Sequence, residues 1–154
     1  MTTSKAWLLD FGDGLQAAVG YNEMWQILMS PKRFEIPCTP KYCNQVLVFQ
    51  DRILPLLDIS YLLKGKKSIT DDVVSIALYQ DDPNKPVKYA GINCATIPLT
   101  INVSDDQMCE LPTEQQYWKP FYLSCFSLEN QAIPIINLAY IFSLKFKSLQ
   151  FGWK

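Results

Sequence analysis

Apolar residues in this chain fall in short dense runs, separated by polar turns and prolines. The stretch QVLVFQDRILPLLDISYLL, residues 45–63, sets the pattern. VLVF and RILPLL have the length of strands and are joined by a polar break at Gln50-Asp51, so they read as a hairpin. Pro55 lies inside the second strand. It has no N–H for a ladder, which predicts a sheet edge or a bulge there. Asp58 then fits a helix N-cap, with Ile59, Leu62 and Leu63 as the apolar face of a short helix ended by LKGKK.

The rest of the chain reads the same way. AWLLDFGDGLQAAVGY is a hairpin turning at Asp13-Gly14, where positive φ is needed. NEMWQILM (22–29) leaves strand and short helix open. As a strand it puts Met24, Gln26 and Leu28 on one face and Trp25, Ile27 and Met29 on the other. SPKRFEIPCTPKY is too rich in proline for a helix and predicts an extended crossing segment. DDVVSIALYQ is a strand and DDPNKP a turn. KYAGINCATIPLTINVSDD holds one or two strands, with Gly91 a candidate bulge. MCELPTEQQYWKPFY reads as a loop, and SLKFKSLQFGWK as a structural strand or amphipathic helix.

One unit occurs twice. Residues 42–63 (YCNQVLVFQDRILPLLDISYLL) align with 121–142 (FYLSCFSLENQAIPIINLAYIF). Pro55 meets Pro134 and Tyr61 meets Tyr140. Gln50-Asp51 meets Glu129-Asn130 at the turn, and Asp58 meets Asn137 at the cap. WLLDFGDGL and SIALYQDDP are candidate leading hairpins of the two copies. The chain is therefore predicted to be a single all-β domain of two similar lobes with short helical turns.

Composition narrows the function more than it names it. Hydrophobic residues make up 49% of 154 residues, enough for a real core. Fourteen Lys and Arg against 15 Asp and Glu give a net charge of −1, and the bases are scattered apart from LKGKK. That pattern disfavours nucleic-acid binding. No histidine is present, which removes Ser-His-Asp and Cys-His catalysis and His-based zinc sites. The five cysteines, Cys38, Cys43, Cys94, Cys109 and Cys125, contain no C-x-x-C and read as free thiols in a reducing cytoplasm. The N-terminus lacks a signal-peptide layout, and NQAIPIINLAYIFSL is too short to span a bilayer.

The acidic pairs Asp71-Asp72, Asp81-Asp82 and Asp105-Asp106 sit at predicted turns and read as solvated. No phosphate-binding loop is present. Some aromatics, Trp25, Trp118 and Trp153 among them, lie in segments without clean alternation and are candidate exposed anchors. A small enzyme using cysteine or paired aspartate is the alternative class. It would require one thiol of depressed pKa.

IPCTPKYCNQVLVFQDRILPLLDISYLL resembles the central signature of the CheW-like domain family, on Ile36-Pro37, Pro40 and Ile53-Leu54-Pro55-Leu56-Leu57-Asp58-Ile59. The second copy, ending AIPIINLAYIF, resembles that family's closing hairpin and helix. The resemblance runs from about Ala6 to about Phe142. It implies two small five-stranded SH3-like β-barrel lobes packed on a shared core. It also implies a non-catalytic cytoplasmic adaptor, without cofactor or metal, that joins a CheA-type histidine kinase to the cytoplasmic tips of chemoreceptors. The setting would be flagellar chemotaxis or type IV pilus twitching motility. Homodimerisation stays open, and no direct membrane insertion is implied.

The departures cluster in one place. Where the family reads Gly-Val-Ile-Asn-Leu-Arg-Gly, this chain has Gln45-Val46-Leu47-Val48-Phe49-Gln50-Asp51. The family's contact arginine is Gln50 here, which removes a fixed charge and a five-donor fork. The resemblance places partner contacts at Met24, Gln26 and Leu28 on one strand and at Val48, Gln50 and Arg52 around the turn. The alternative within the fold is a diverged module that binds another regulator or itself.

Overall fold

The computed structural model describes residues 3–66 and 73–143. Lys67, the Asp71-Asp72 pair, Trp153 and the tail from Leu144 onward lie outside the described residues. Strands β1 (Thr3–Asp10) and β2 (Gln16–Gly20) open the chain. Strands β3 (Met24–Met29), β4 (Arg33–Glu35), β5 (Gln45–Phe49) and β6 (Arg52–Leu57) follow, then helix α1 (Ile59–Lys64). The order then recurs: β7 (Val73–Tyr79), β8 (Lys88–Cys94), β9 (Leu99–Ser104), β10 (Met108–Cys109), β11 (Tyr122–Leu128), β12 (Gln131–Ile136) and helix α2 (Leu138–Phe142).

The strands form two six-stranded sheets, ordered β3-β7-β8-β6-β5-β4 and β9-β1-β2-β12-β11-β10. Position by position these are the same sheet. Each lobe thus carries one strand beyond the five implied by the resemblance. The short strands β4 and β10 close the ends, within segments that read as a crossing and a loop.

The hairpins are exchanged between the repeats. β1–β2 leads the first copy in sequence but joins the sheet of β9 to β12. β7–β8 leads the second copy and joins the sheet of β3 to β6. The joints are parallel: Ile135 beside Ala18 in one lobe, Leu56 beside Gly91 and Leu57 beside Ile92 in the other. Among the described residues all other strand pairings are antiparallel.

Alternation along these strands supplies two kinds of core. Leu54 and Leu56 face the first lobe's own interior, while Leu57 faces the core shared by both lobes. In β2, Ala18 faces its lobe, while Ala17 and Val19 face the shared core. Successive side chains on a strand point to opposite faces, so a strand buried on both needs a continuous apolar run. That requirement accounts for the density of ILPLL and AIPII. The shared core also takes Ile59, Leu138, Ile141 and Phe142 from the two helices.

Three expectations are corrected. Pro55 is not on an edge strand or at a bulge, because β6 lies between β5 and β8, but its own stretch of β6 is unpaired on the β8 side. The two-residue turn makes Phe49–Arg52 a hydrogen-bonded pair, and alternation makes Val46–Pro55 a non-hydrogen-bonded one. The missing N–H therefore faces away from β5, just before the parallel joint begins at Leu56. Pro134, opposite Cys125, repeats the arrangement.

Gly91 is likewise not a bulge; it pairs regularly with Ile76. Its lack of a side chain serves packing. A Cβ there would lie 2.9 Å from Leu47, 3.0 Å from Leu56 and 3.0 Å from Val74. Trp118 is no exposed anchor: it is 1% exposed in the shared core, brought there by a 3-10 turn over Thr113–Trp118.

The caps fall where the sequence places them. The Asp58 carboxylate accepts from Tyr61 N–H at 3.0 Å, and the Asn137 side-chain oxygen accepts from Tyr140 N–H at 3.1 Å. The first hairpin forms, but its connection spans residues 11–15. Phe11 and Leu15 are buried, and Gly12, Asp13 and Gly14 take positive φ.

Gly91→Ala is expected to destabilise the protein by about 1–3 kcal/mol through overpacking. The check is urea unfolding. An unchanged midpoint would mean that Leu47, Leu56 and Val74 give way without cost.

Candidate functional site

The β5–β6 hairpin projects Val48, Gln50, Asp51, Arg52 and Ile53 into solvent. Its turn holds Gln50 at φ 49° and Asp51 at φ 63°, the left-handed pair that a two-residue hairpin requires. Glu129 (φ 50°) and Asn130 (φ 66°) do the same in the second lobe. Neither turn uses glycine. Aspartate and asparagine tolerate this region, whereas for glutamine it costs about 1–2 kcal/mol. The turn leaves the Gln50 side chain exposed.

Alternation sorts the hairpin into two faces. Val48 and Ile53 oppose each other across the strands and are 55% and 52% exposed. They form a small apolar platform on the outer face. Phe49 and Arg52 oppose each other on the inner face, at the mouth of the first lobe. There Trp25 meets the edge of Phe49 with ring centroids 5.3 Å apart, and Tyr89 lies 4.5 Å from Trp25. The Arg52 guanidinium sits 4.9 Å over the Tyr89 ring, a cation–π contact that orients it.

Beside this cluster β6 and β8 diverge. Their parallel pairing begins only at Leu56 and Gly91. The residues before it flank an open groove of 470 Å³ lined by Arg52, Ile53, Pro55, Val87, Lys88 and Tyr89. The edge of β6 next to the groove is not paired to β8 there.

The six predicted contact residues do not form one surface. Val48, Gln50 and Arg52 share the hairpin end, with Val48 and Arg52 on opposite faces. Met24, Gln26 and Leu28 do not share a face, because the β3–β7 register shifts between Met24 and Gln26. Met24 packs with Ile27 against the shared core, and Leu28 packs with Trp25 against the first lobe. Gln26 alone of the three is exposed.

Ile53 and Tyr89 are not among the expected contacts, and Trp25, an expected exposed anchor, is half-buried against the first lobe's core. Ile53 is legible once the two-residue turn is counted, since it must oppose Val48. Nothing in sequence spacing brings Trp25 and Tyr89 together. They meet only because the β7–β8 hairpin crosses into this lobe.

Burial pushes the thiols of Cys43 and Cys94 up to about 11. It pushes Cys125, with the adjacent Cys109 adding to the effect, up to about 12. These three thiols are held protonated, the opposite of an activated nucleophile. Among the described residues no group of His, Cys, Asp or Glu could hold a metal ion. Among them, too, no helix is long and apolar enough to cross a membrane.

Comparison with known proteins places this geometry. The family model of the CheW-like domain matches residues 13–146. The crystal structure of the scaffolding protein TtCheW from Thermoanaerobacter tengcongensis superposes with a TM-score of 0.76 at 14% identity, covering 94% of this chain and 95% of that one. No curated protein sequence matches the chain.

Val48→Ser and Ile53→Ser are expected to leave stability within about 0.5 kcal/mol, as exposed positions do. Leu54→Ala, one residue on and facing the core, is expected to cost about 2–5 kcal/mol. Denaturant melts of the three variants separate platform from core.

Proposed function

The chain belongs to the CheW-like domain family, and from that membership we propose that it is a non-catalytic adaptor of a chemosensory pathway. In this role it couples a CheA-type histidine kinase to the cytoplasmic tips of chemoreceptors, in chemotaxis or in pilus-driven twitching. The working compartment is the cytoplasm.

The observation that carries this reading is the hairpin end. A rigid two-lobed body presents an apolar pair, Val48 and Ile53, flanked by exposed Gln50 and by Arg52 fixed over Tyr89. An apolar patch rimmed by polar groups on an ordered scaffold suits protein binding. TtCheW, which shares the fold, is a scaffolding protein, and this supports the same role.

A second reading keeps the fold and changes the partner. Gln50 stands in the place of the arginine that the family uses for contact, and it is exposed. A neutral amide cannot replace a guanidinium in bidentate pairing with a carboxylate. The diverged turn thus favours a module that recognises another regulator, or a second copy of itself.

Gln50→Arg separates these readings. For an adaptor using the family surface, the change tightens binding to a cognate kinase regulatory domain by about tenfold, ~1.4 kcal/mol, with an unchanged Tm. The check is titration calorimetry beside thermal melts. Equal loss of binding and Tm would make Gln50 structural. No binding by either form at micromolar concentration would favour the second reading.

A further inference from the structure

Five cysteines are present, and two of them meet. Cys109 on β10 lies directly opposite Cys125 on β11. Their sulfurs are 3.5 Å apart. Directly opposed residues of an antiparallel pair have Cα atoms about 4.5–5.5 Å apart. Disulfides span Cα distances of about 4.4–6.8 Å. The backbone is therefore already at bonding separation, and only the side chains must turn to close the gap.

Access is asymmetric. Cys125 is 3% exposed, while Cys109 is half-buried. Both line a surface groove of 410 Å³ with Glu110, Lys119 and Tyr122. Through it the half-buried Cys109 is open to solvent. The partner strand matters as well: β10 is two residues long and sits at the end of its sheet, where among the described residues it pairs with β11 alone. It carries Met108, which is 70% exposed.

We propose that Cys109 and Cys125 form a peroxide-dependent intrachain disulfide that fastens the edge strand β10 to β11. The Cys109 thiolate attacks one peroxide oxygen. The S–O bond forms, the O–O bond breaks, and the departing hydroxide takes a proton to leave as water. Cys125 then attacks the resulting sulfenic sulfur. The S–S bond forms, the S–O bond breaks, and a second water leaves with the Cys125 proton. Two thiols are oxidised and one peroxide is reduced to two waters. A thiol reductant reverses the bond by exchange. Cys109 is the first to react because it is the accessible member, whereas burial pushes the Cys125 thiol up and makes it the poorer first nucleophile. The remaining cysteines take no part: Cys43 and Cys94 are buried elsewhere, and Cys38 is exposed on the other lobe's crossing segment.

The test treats the full reduced, folded chain with dilute hydrogen peroxide, removes the peroxide, alkylates the remaining thiols in denaturant and maps a non-reducing digest by mass spectrometry. The expected result is a linked peptide pair carrying Cys109 and Cys125, and a fall of two from the original five alkylatable thiols. The Tm should rise on oxidation and return with dithiol reductant, because the cross-link restricts the unfolded chain. Cys38→Ser should leave the link intact, and Cys109→Ser should abolish it together with the Tm rise. The proposal is overturned if Cys109 and Cys125 stay alkylatable while Cys38 is oxidised, or if the link appears only in denaturant. Should Cys109→Ser fail to fold, the peptide map of the unsubstituted chain decides alone.

Discussion

Two short parallel contacts hold this molecule together: Ile135 beside Ala18 and Leu56 beside Gly91. Each is the seam where a hairpin from one repeat enters the sheet of the other. Without the β7–β8 hairpin, the strands β3 to β6 lose the partners of both β3 and β6. The same is true of β9 and β12 without β1–β2. Neither half of the chain completes its own lobe; each sheet closes only with a hairpin from the other half. The seam also dictates side-chain size. Gly91 and Ala18 occupy equivalent positions, and at Gly91 even a methyl group would meet three side chains within 3.0 Å.

The same exchange creates the difference between the lobes. Counting two residues back from the seam puts Tyr89 in the first lobe and Gln16 in the second. Counting back from the turn puts Phe49 in one and Leu128 in the other. The aromatic cluster with Trp25, and the ring that orients Arg52, therefore exist only in the first lobe. A repeated backbone with unrepeated mouths suits an adaptor, which needs a rigid frame and distinct contact surfaces. The frame is that of the CheW-like family, whose model matches residues 13–146.

Much of the frame is legible in the sequence. The capped helices show because Asp58 and Asn137 precede short apolar runs, a local signal with a local cause. The hairpins show because their turns interrupt apolar runs. The exchange does not show, because strand partners are chosen by packing over distances that no local pattern encodes. Pro55 misleads for the same reason. A ring without an N–H argues for an edge unless the register is known, and in this register the missing donor falls beside the start of a parallel joint. Strand β3, where contacts are expected, misleads differently: one register shift between Met24 and Gln26 turns a single face into two. The position of Ile53 follows from counting outward from the turn at Gln50-Asp51, since it must oppose Val48.

If the exchanged hairpins bind the lobes into one cooperative unit, native-state amide hydrogen exchange measures it most directly. The seam amides of Ala18 and Val19 in one lobe and of Gly91 and Ile92 in the other would be followed against denaturant. The two sets should open with the same free energy, within about 1 kcal/mol, and converge on the global unfolding value. Opening of one seam at much lower free energy, while the other stayed protected, would contradict the account and make the lobes independent.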